Sequence, residues 1–357
     1  MEGKQQSVSP TCYSGLVSLL KIALNPNLDF YYKRNIMNNV CFRWSLMAVS
    51  FCFLLFNSFT LSANKLSEKD VTVLINKTLA VFSESYIDVA ATPYVVSVIN
   101  ERLKQGAYKE VSTLKDFAEV IGRDIRNISG DVHLSLMLQN PNEPLTHILP
   151  QKGGRLSYNH AFEEVKYVHD NIGYLKFNKF HPSDEALKTA DTAFAFLRSS
   201  DGLIIDMRDT VGGSPYLVQH MLSYFIEGGK VLWSVETNDQ SHKDVIKVDT
   251  SPVHKRFLND YPVWLLTSNS TASASELFAG VLQDYGKAKV VGSVTAGAGY
   301  YVGVRRITEE LTFRISLAKP LLPNSNENWE KVGITPDIEV EYVDAFDIAL
   351  LDAIRAK

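Results

Sequence analysis

Apolar residues between positions 68 and 129 recur every three or four residues, the spacing that places them on one face of a helix. The pattern runs through three segments, residues 71–82, 94–103 and 114–125. Pro93 separates the first two segments, and Gly106 with Tyr108 separates the last two. We therefore predict a helical N-terminal subdomain of three short helices over residues 68–130.

From residue 131 onward, strand-like apolar runs alternate with helical runs. The predicted strands are residues 132–138, 172–177, 202–208, 230–235, 263–267 and 289–292, and two hairpin-like runs follow at 301–307 and 311–317. The predicted helices are residues 183–198, 215–226, a run after Ser273, and a last one near 344–356. Such alternation is typical of βαβ units around a mainly parallel central sheet. We therefore predict an α/β domain over residues 131–345 and a C-terminal helix over 346–357.

Residues 1–63 have the pattern of an export signal. Basic residues at positions 33–43 precede the apolar run of residues 45–59, which has about the length of a signal core and is short for a membrane span. Leu-Ser-Ala at 61–63 offers a small-residue cleavage site. We predict export to the periplasm or the extracellular space, with Met37 as an attractive true start. An uncleaved membrane anchor is the alternative.

The composition of the chain excludes several kinds of partner and catalytic group. The 357 residues carry a net charge of -4 and no clustered basic stripe, so a nucleic-acid partner is not expected. All three cysteines lie within the first 52 residues, which excludes disulfides, thiolate metal sites and cysteine nucleophiles from the rest of the chain. The histidines show no ligand spacing. We predict neither a metal nor a cofactor.

Small hydroxyl residues follow the predicted strand of residues 263–267 and precede a helical run. Ser273 and Ser275 lie nearest the predicted helix start. The first N–H groups of a helix lack partners and the dipole is positive there, so either serine could be a nucleophile. Both residues are equally suited to capping the helix.

Three further polar features stand out along the chain. Gly212 and Gly213 follow an apolar strand, and glycines in such a turn can direct N–H groups at an oxyanion. His133 lies at the edge of a predicted apolar strand, and Glu330 lies in a loop rich in Asn, Gly and Pro. Taken singly, these features are explained as an ordinary turn, a structural histidine and a solvated carboxylate.

The order of these features resembles the C-terminal-processing, or tail-specific, serine peptidase family. The resemblance covers about residues 70–341 and rests on GYLKF, DGLIIDMRDTVGG, TASASELFAGVLQDYGKAKVVG and WEKVGITPD. Two features resemble the branch of the tricorn core and interphotoreceptor retinoid-binding protein modules. One is the helical run that ends in SGDVHLSL. The other is the short segment of roughly 40 residues between His133 and Gly173, which is too short for a PDZ domain. The resemblance implies a ClpP/crotonase-like fold and a serine-type peptidase acting on peptides or proteins.

The resemblance also implies roles for individual residues. Ser273 matches the family nucleophile, which leaves Ser275 as a helix cap. Ala298 stands between two glycines where well-known members keep an activating lysine. The tricorn-like branch uses a histidine and a carboxylate instead, and His133 and Glu330 occupy the matching positions. A histidine with an ordinary pKa near 6.5 suits a general base, and a carboxylate on its far nitrogen fixes the tautomer.

The implied oxyanion hole consists of the N–H of Gly212 or Gly213 and the N–H of Ala274. Asp209 departs from the family, which commonly has a neutral residue after Arg208, and an inward carboxylate would disfavour a negatively charged intermediate. One scaffold can host several functions. The sequence therefore predicts an exported serine peptidase, with a non-catalytic binding protein for a retinoid-like or other apolar ligand as the alternative.

Overall fold

The computed structural model describes residues 65–140, 158–238, 243–248, 257–258 and 260–356. The predicted export signal, residues 1–63, lies outside the described residues. Among the described residues, no helix has the length and apolar character needed to cross a membrane. The segment Lys65–Lys357 forms one compact unit.

The three N-terminal helices are present as predicted, α1 (Glu68–Ser85), α2 (Thr92–Lys104) and α3 (Leu114–Ser129). Ser67 caps α1 in a reciprocal pair, because its hydroxyl accepts from the N–H of Asp70 while its own N–H donates to the Asp70 carboxylate. Gly130 ends α3 in the left-handed region, with φ of 71°. That turn directs the chain toward residues 131–133.

Eleven strands and four more helices follow in the described part of the chain. The strands are β1 (Ser135–Leu138), β2 (Phe162–Tyr167), β3 (Ile172–Phe177), β4 (Gly202–Asp206), β5 (Val231–Thr237), β6 (Lys243–Lys247), β7 (Val263–Thr267), β8 (Lys289–Gly292), β9 (Tyr301–Arg306), β10 (Leu311–Leu321) and β11 (Ile338–Glu339). The helices are α4 (Asp184–Phe196), α5 (Pro215–Leu222), α6 (Ala274–Asp284) and α7 (Ala345–Arg355).

The central sheet has the strand order β11-β8-β7-β4-β3-β2. Every neighbouring pair is parallel except β2 with β3, which confirms the predicted mainly parallel sheet. Side chains alternate between its faces: Ile205 and Leu265 face the core with α4, α5 and α6, whereas Ile204 and Trp264 pack on α7. Helices on both faces explain why β4 and β7 are buried along their whole length.

A second, antiparallel sheet was not foreseen. Its order is β1-β10-β5-β6, and β9 pairs with β10 in the predicted hairpin. The runs at 132–138 and 230–235 therefore belong to this sheet and not to the parallel one. The first of these strands begins only at Ser135, so His133 lies in the preceding turn and not at a strand edge as predicted.

The N-terminal helices share a core with the second sheet. Phe82 of α1, Phe117 of α3 and Phe313 of β10 are all fully buried in one cluster. The ring of Phe82 stacks on Tyr86 at 4.5 Å and on Phe313 at 6.2 Å between centroids. This packing places the turn that carries His133 against β10. The division of the chain at residue 130 stays a prediction.

We expect Phe82→Ala to lower the free energy of unfolding by about 3–5 kcal/mol, because truncation leaves a cavity where three rings meet. Urea denaturation measures the loss. The matched control is Phe196→Ala, since Phe196 is 57% exposed and its truncation should cost less than about 1 kcal/mol. Equal losses in the two variants would contradict the shared core.

Candidate active site

Two parallel strands deliver the serine and glycine segments to the same edge of the central sheet. Strands β4 and β7 are neighbours, with Asp206 opposite Leu266, so the loops that follow them leave side by side. The glycine loop follows β4, and the turn to α6 follows β7. Ligand sites in such sheets form outside the carboxyl ends of the strands.

Ser273 occupies a strained position at the start of α6. Its φ of 57° and ψ of -120° are unusual for a residue with a side chain. Such strain persists only where surrounding contacts enforce it, and it collects at functional sites. The residue is half-buried and directly precedes the helix, so its hydroxyl lies at the positive end of the α6 dipole.

Ser275 is not the helix cap that the sequence predicted. The N-cap of α6 is Ser273, and Ser275 lies inside the first turn with no exposed surface. Its hydroxyl donates to the carbonyl of Thr210 at 3.1 Å and accepts from the N–H of Gly212 at 3.1 Å. Ser275 therefore fastens the glycine loop to α6.

Both glycines adopt left-handed backbone conformations, with φ of 94° at Gly212 and 135° at Gly213. A Cβ on Gly212 would lie 2.7 Å from the carbonyl oxygen of Ala272 and 2.8 Å from Cβ of Ser273, so the loop closes directly on the serine turn. Because Gly212 donates to Ser275, its N–H is engaged. Among the described residues, the N–H groups of Gly213 and Ala274 have no hydrogen-bond partner.

The Glu276 carboxylate ties the serine turn to a second loop. It is fully buried and accepts four hydrogen bonds, from Ser273 N, Gly297 N, Ala298 N and Thr295 Oγ1, at 2.7, 2.7, 2.9 and 2.6 Å. Burial raises the pKa of Glu276, although the four donors act in the opposite direction. Ala298, which the resemblance predicts to stand in place of a lysine, thus lies two hydrogen bonds from Ser273.

The Asp209 carboxylate is paired with two side chains. Its carboxylate accepts from the Tyr342 hydroxyl at 2.9 Å and lies 3.4 Å from the Lys176 ammonium. Its neighbour Arg208 pairs with Asp206 at 2.6 Å. The charge of Asp209 is therefore balanced by Lys176 and by the Tyr342 hydroxyl.

His133 lies in the turn between α3 and β1 and is 7% exposed. The fully buried Asp131 accepts the backbone N–H of His133 at 2.8 Å and contacts Nδ1 of its ring at 3.1 Å through the same oxygen, Oδ1. Arg314 of β10 donates to the carbonyl of His133 at 2.6 Å. The histidine is therefore held from both its backbone and its ring.

Glu330 lies beside this pair. One ligand atom each from Asp131, His133 and Glu330 fall within 4.8 Å of one another, a spacing that would also admit a metal ion. Oε2 of Glu330 accepts the N–H of Gly299 at 2.6 Å. Burial, with the charge of Asp131, raises the pKa of Glu330 to about 7.

The structure thus brings His133 and Glu330 together, and brings Ser273 together with the glycine loop and Ala298. Among the described residues, no hydrogen bond joins Ser273 to His133. The two groups are linked through residues 297–299, since Gly297 and Ala298 donate to Glu276 and Gly299 donates to Glu330. Three consecutive N–H groups connect the serine side to the histidine side.

Sequence reasoning missed two residues of this site. Glu276 stands three positions after Ser273, the spacing of a capping box, and that pattern could have indicated its contact with the serine N–H. Asp131 stands two positions before His133, where an aspartate commonly accepts a hydrogen bond from a backbone N–H nearby. The burial of both carboxylates has no local sequence signal.

Residues 171–340 match the family described as peptidase family S41. A "Probable CtpA-like serine protease" of Staphylococcus saprophyticus is 30% identical over 180 residues, which cover 50% of this chain and 36% of the relative. The protein of the same description from Staphylococcus aureus is 32% identical over 174 residues, covering 48% and 33%. The chain spans about a third of the length of these relatives. The family resemblance predicted from the sequence is confirmed.

Two solved structures share the fold over most of this chain. A candidate peptidase from Parabacteroides merdae has a TM-score of 0.60 at 19% identity, covering 81% of this chain and 97% of its own. A lipoprotein from Streptococcus agalactiae has a TM-score of 0.57 at 13% identity, covering 82% and 97%. These likenesses confirm the fold class.

The raised pKa of Glu330 predicts a pH-dependent stability. A carboxyl whose folded pKa of about 7 exceeds its ordinary value of 4.5 stabilises the fold fully below pH 4.5 and loses that contribution as the pH rises through 7. We expect wild type to lose stability between these pH values relative to Glu330→Gln. Urea midpoints at several pH values measure the difference. The matched control is Glu327→Gln, which removes an exposed carboxylate. A difference in urea midpoint between wild type and Glu330→Gln that stays constant with pH would contradict the raised pKa of Glu330.

Proposed function

We propose, on the premise that residues 171–340 are a peptidase family S41 region, that this protein is a serine peptidase acting through Ser273. The observation that carries the proposal is the strained Ser273 at the N-terminus of α6, with the unpartnered N–H groups of Gly213 and Ala274 beside it. Peptide or protein substrates follow from the family and from the relatives' description as serine proteases.

In the proposed reaction, Oγ of Ser273 attacks the carbonyl carbon of the scissile bond while His133 takes the serine proton. The N–H groups of Gly213 and Ala274 stabilise the oxyanion, while Gly212 holds its loop through Ser275. The proton then passes from His133 to the leaving amine, and water hydrolyses the acyl-enzyme. Glu330 lies beside His133 and is only partly ionised near neutral pH, because its pKa is raised to about 7. The base is thus a histidine in place of the family lysine, whose position holds Ala298.

Two observations support this assignment. Ser273 lies beside the glycine loop, since a Cβ on Gly212 would clash with it. His133 already has a carboxylate on Nδ1, which leaves its other nitrogen to accept a proton. Asp209 does not oppose the chemistry, because Lys176 and Tyr342 hold its carboxylate elsewhere. The alternative, an apolar-ligand binder, has no need of a strained serine and a histidine held on a carboxylate.

We further propose export, from the signal pattern of residues 1–63. The peptidase would then work in the periplasm or outside the cell, and contact the membrane only through that segment. N-terminal sequencing of the mature protein should find a start near residue 64, whereas an intact Met1 would refute cleavage.

A fluorophosphonate probe tests the nucleophile. We expect wild type to be labelled, Ser273→Ala to be unlabelled, and His133→Ala to react at least about ten-thousandfold more slowly, because the serine then lacks its base. Labelling is read by gel fluorescence and intact mass.

The matched control is Ser270→Ala, which removes an exposed hydroxyl from the same turn and should leave labelling unchanged. Labelling that survives in Ser273→Ala would refute the assignment. A folded wild type that is not labelled but takes up a fluorescent apolar ligand would favour the binding protein.

A further inference from the structure

Two carboxylates flank His133, and their contacts differ. Asp131 has no exposed surface and hydrogen-bonds to His133 through both backbone and ring. Glu330 is partly exposed, and its carboxylate accepts a hydrogen bond from the N–H of Gly299. Within the described part of the chain, no hydrogen bond joins Glu330 to His133. Closeness alone therefore does not decide which carboxylate orients the imidazole.

The Asp131 contact defines the protonation of the ring. An ionised carboxylate only accepts hydrogen bonds, so Nδ1 of His133 must carry the proton that lies between them. Neutral His133 then keeps its lone pair on Nε2, the nitrogen available to a substrate or a serine. Because Oδ1 of Asp131 also accepts the backbone N–H of His133, the ring is fixed relative to its own main chain.

The second oxygen of Asp131 is buried as well. Oδ2 makes no hydrogen bond of good geometry within the described residues, but the Ser316 hydroxyl of β10 interacts with the carboxylate and lowers its pKa. Asp131 therefore stays ionised beside His133. Protonation of His133 during catalysis would place a full positive charge next to it, so Asp131 stabilises the imidazolium as well as the tautomer.

The placement of Asp131 is rigid. Its N–H donates to the Ser129 hydroxyl at 3.2 Å, directly after the left-handed Gly130 that ends α3. Lys331, the neighbour of Glu330, reaches across to donate to the carbonyl of Ser129 at 2.8 Å. Residues 129–133 are thus tied to the loop of Glu330 without requiring Glu330 to touch the histidine.

We propose that Asp131, and not Glu330, is the positioning residue that sets the tautomer and orientation of His133, whereas Glu330 positions residues 297–299 through Gly299. The assignment rests on the proposed function, in which His133 is the base. Burial would raise the pKa of Asp131, but hydrogen bonds from His133 and Ser316, together with the charge of His133, outweigh it, and the pKa is lowered. Glu330, with its pKa raised to about 7, is a poorer source of permanent charge.

The test compares Asp131→Asn with Glu330→Gln by two readouts. The first readout is the maximal rate constant of fluorophosphonate labelling, measured at saturating probe, together with the probe concentration that gives half of this maximal rate constant. The second is the tautomer of His133, from nitrogen-15 NMR of histidine-labelled protein in the Ser273→Ala background, with the His133→Gln variant assigning the resonance. Asp124→Asn is the matched control. Asp124 of α3 is likewise a hydrogen-bonded aspartate: it accepts from the Tyr108 hydroxyl at 2.9 Å and pairs with the Arg102 guanidinium at 2.7 Å.

We expect wild-type His133 to be protonated on Nδ1 when neutral, and Asp131→Asn to shift that proton toward Nε2. Labelling by Asp131→Asn should slow by about a thousandfold or more with the half-saturating concentration little changed. Glu330→Gln should slow labelling far less and leave the tautomer unchanged, since its amide oxygen can still accept from Gly299. Asp124→Asn should change the melting temperature alone.

A wild-type His133 protonated on Nε2 would overturn the proposal, even if Asp131→Asn failed to fold. A tautomer that shifts in Glu330→Gln and not in Asp131→Asn would overturn it as well. The NMR measurement does not need a reactive serine. Failure of the peptidase proposal, seen as an unlabelled wild type, is therefore distinguishable from failure of the Asp131 assignment.

Discussion

The buried carboxylate of Glu276 is the constraint on which the geometry of the candidate site depends. It accepts the N–H of Ser273 at 2.7 Å and three donors from the loop of residues 295–298. A carboxylate without exposed surface is costly unless hydrogen bonds satisfy it, and the first turn of α6 adds a favourable dipole. Because all four donors serve one charge, the serine turn and that loop hold one arrangement. The strained backbone of Ser273 is maintained by this arrangement.

The same loop, through residues 297–299, also connects the serine turn to the carboxylate that lies beside His133. Gly297 and Ala298 donate to Glu276, and the next residue, Gly299, donates to Glu330. A short backbone segment thus spans two carboxylates on different sides of the site. The side chain at position 298 is a buried methyl group, so this segment contributes to the site through its backbone donors.

The two sides of the site come from different layers of the fold. Ser273 and the glycine loop leave the edge of the parallel sheet, whereas His133 follows α3 and is held by Arg314 of the antiparallel sheet. A base supplied by the helical part depends on the packing of those helices on β10. A lysine at position 298 would instead lie on the same loop that Glu276 anchors. With His133 as the proposed base, part of the site would therefore depend on the N-terminal core.

Residue patterns determined the three N-terminal helices, the parallel strands, the hairpin and the helix that begins after Ser273, because periodicity, capping residues and glycines act within a few positions of the chain. They also indicated Ser273, the glycine loop and His133 as candidates. Only the tertiary structure decided that β1 and β5 join a second sheet and that Asp209 faces Lys176 and Tyr342. It likewise decided that Ser275 binds Gly212 and that the carboxylates of Asp131 and Glu276 are buried. These outcomes depend on burial and on contacts between residues far apart in sequence, such as residues 212 and 275, which no local pattern encodes.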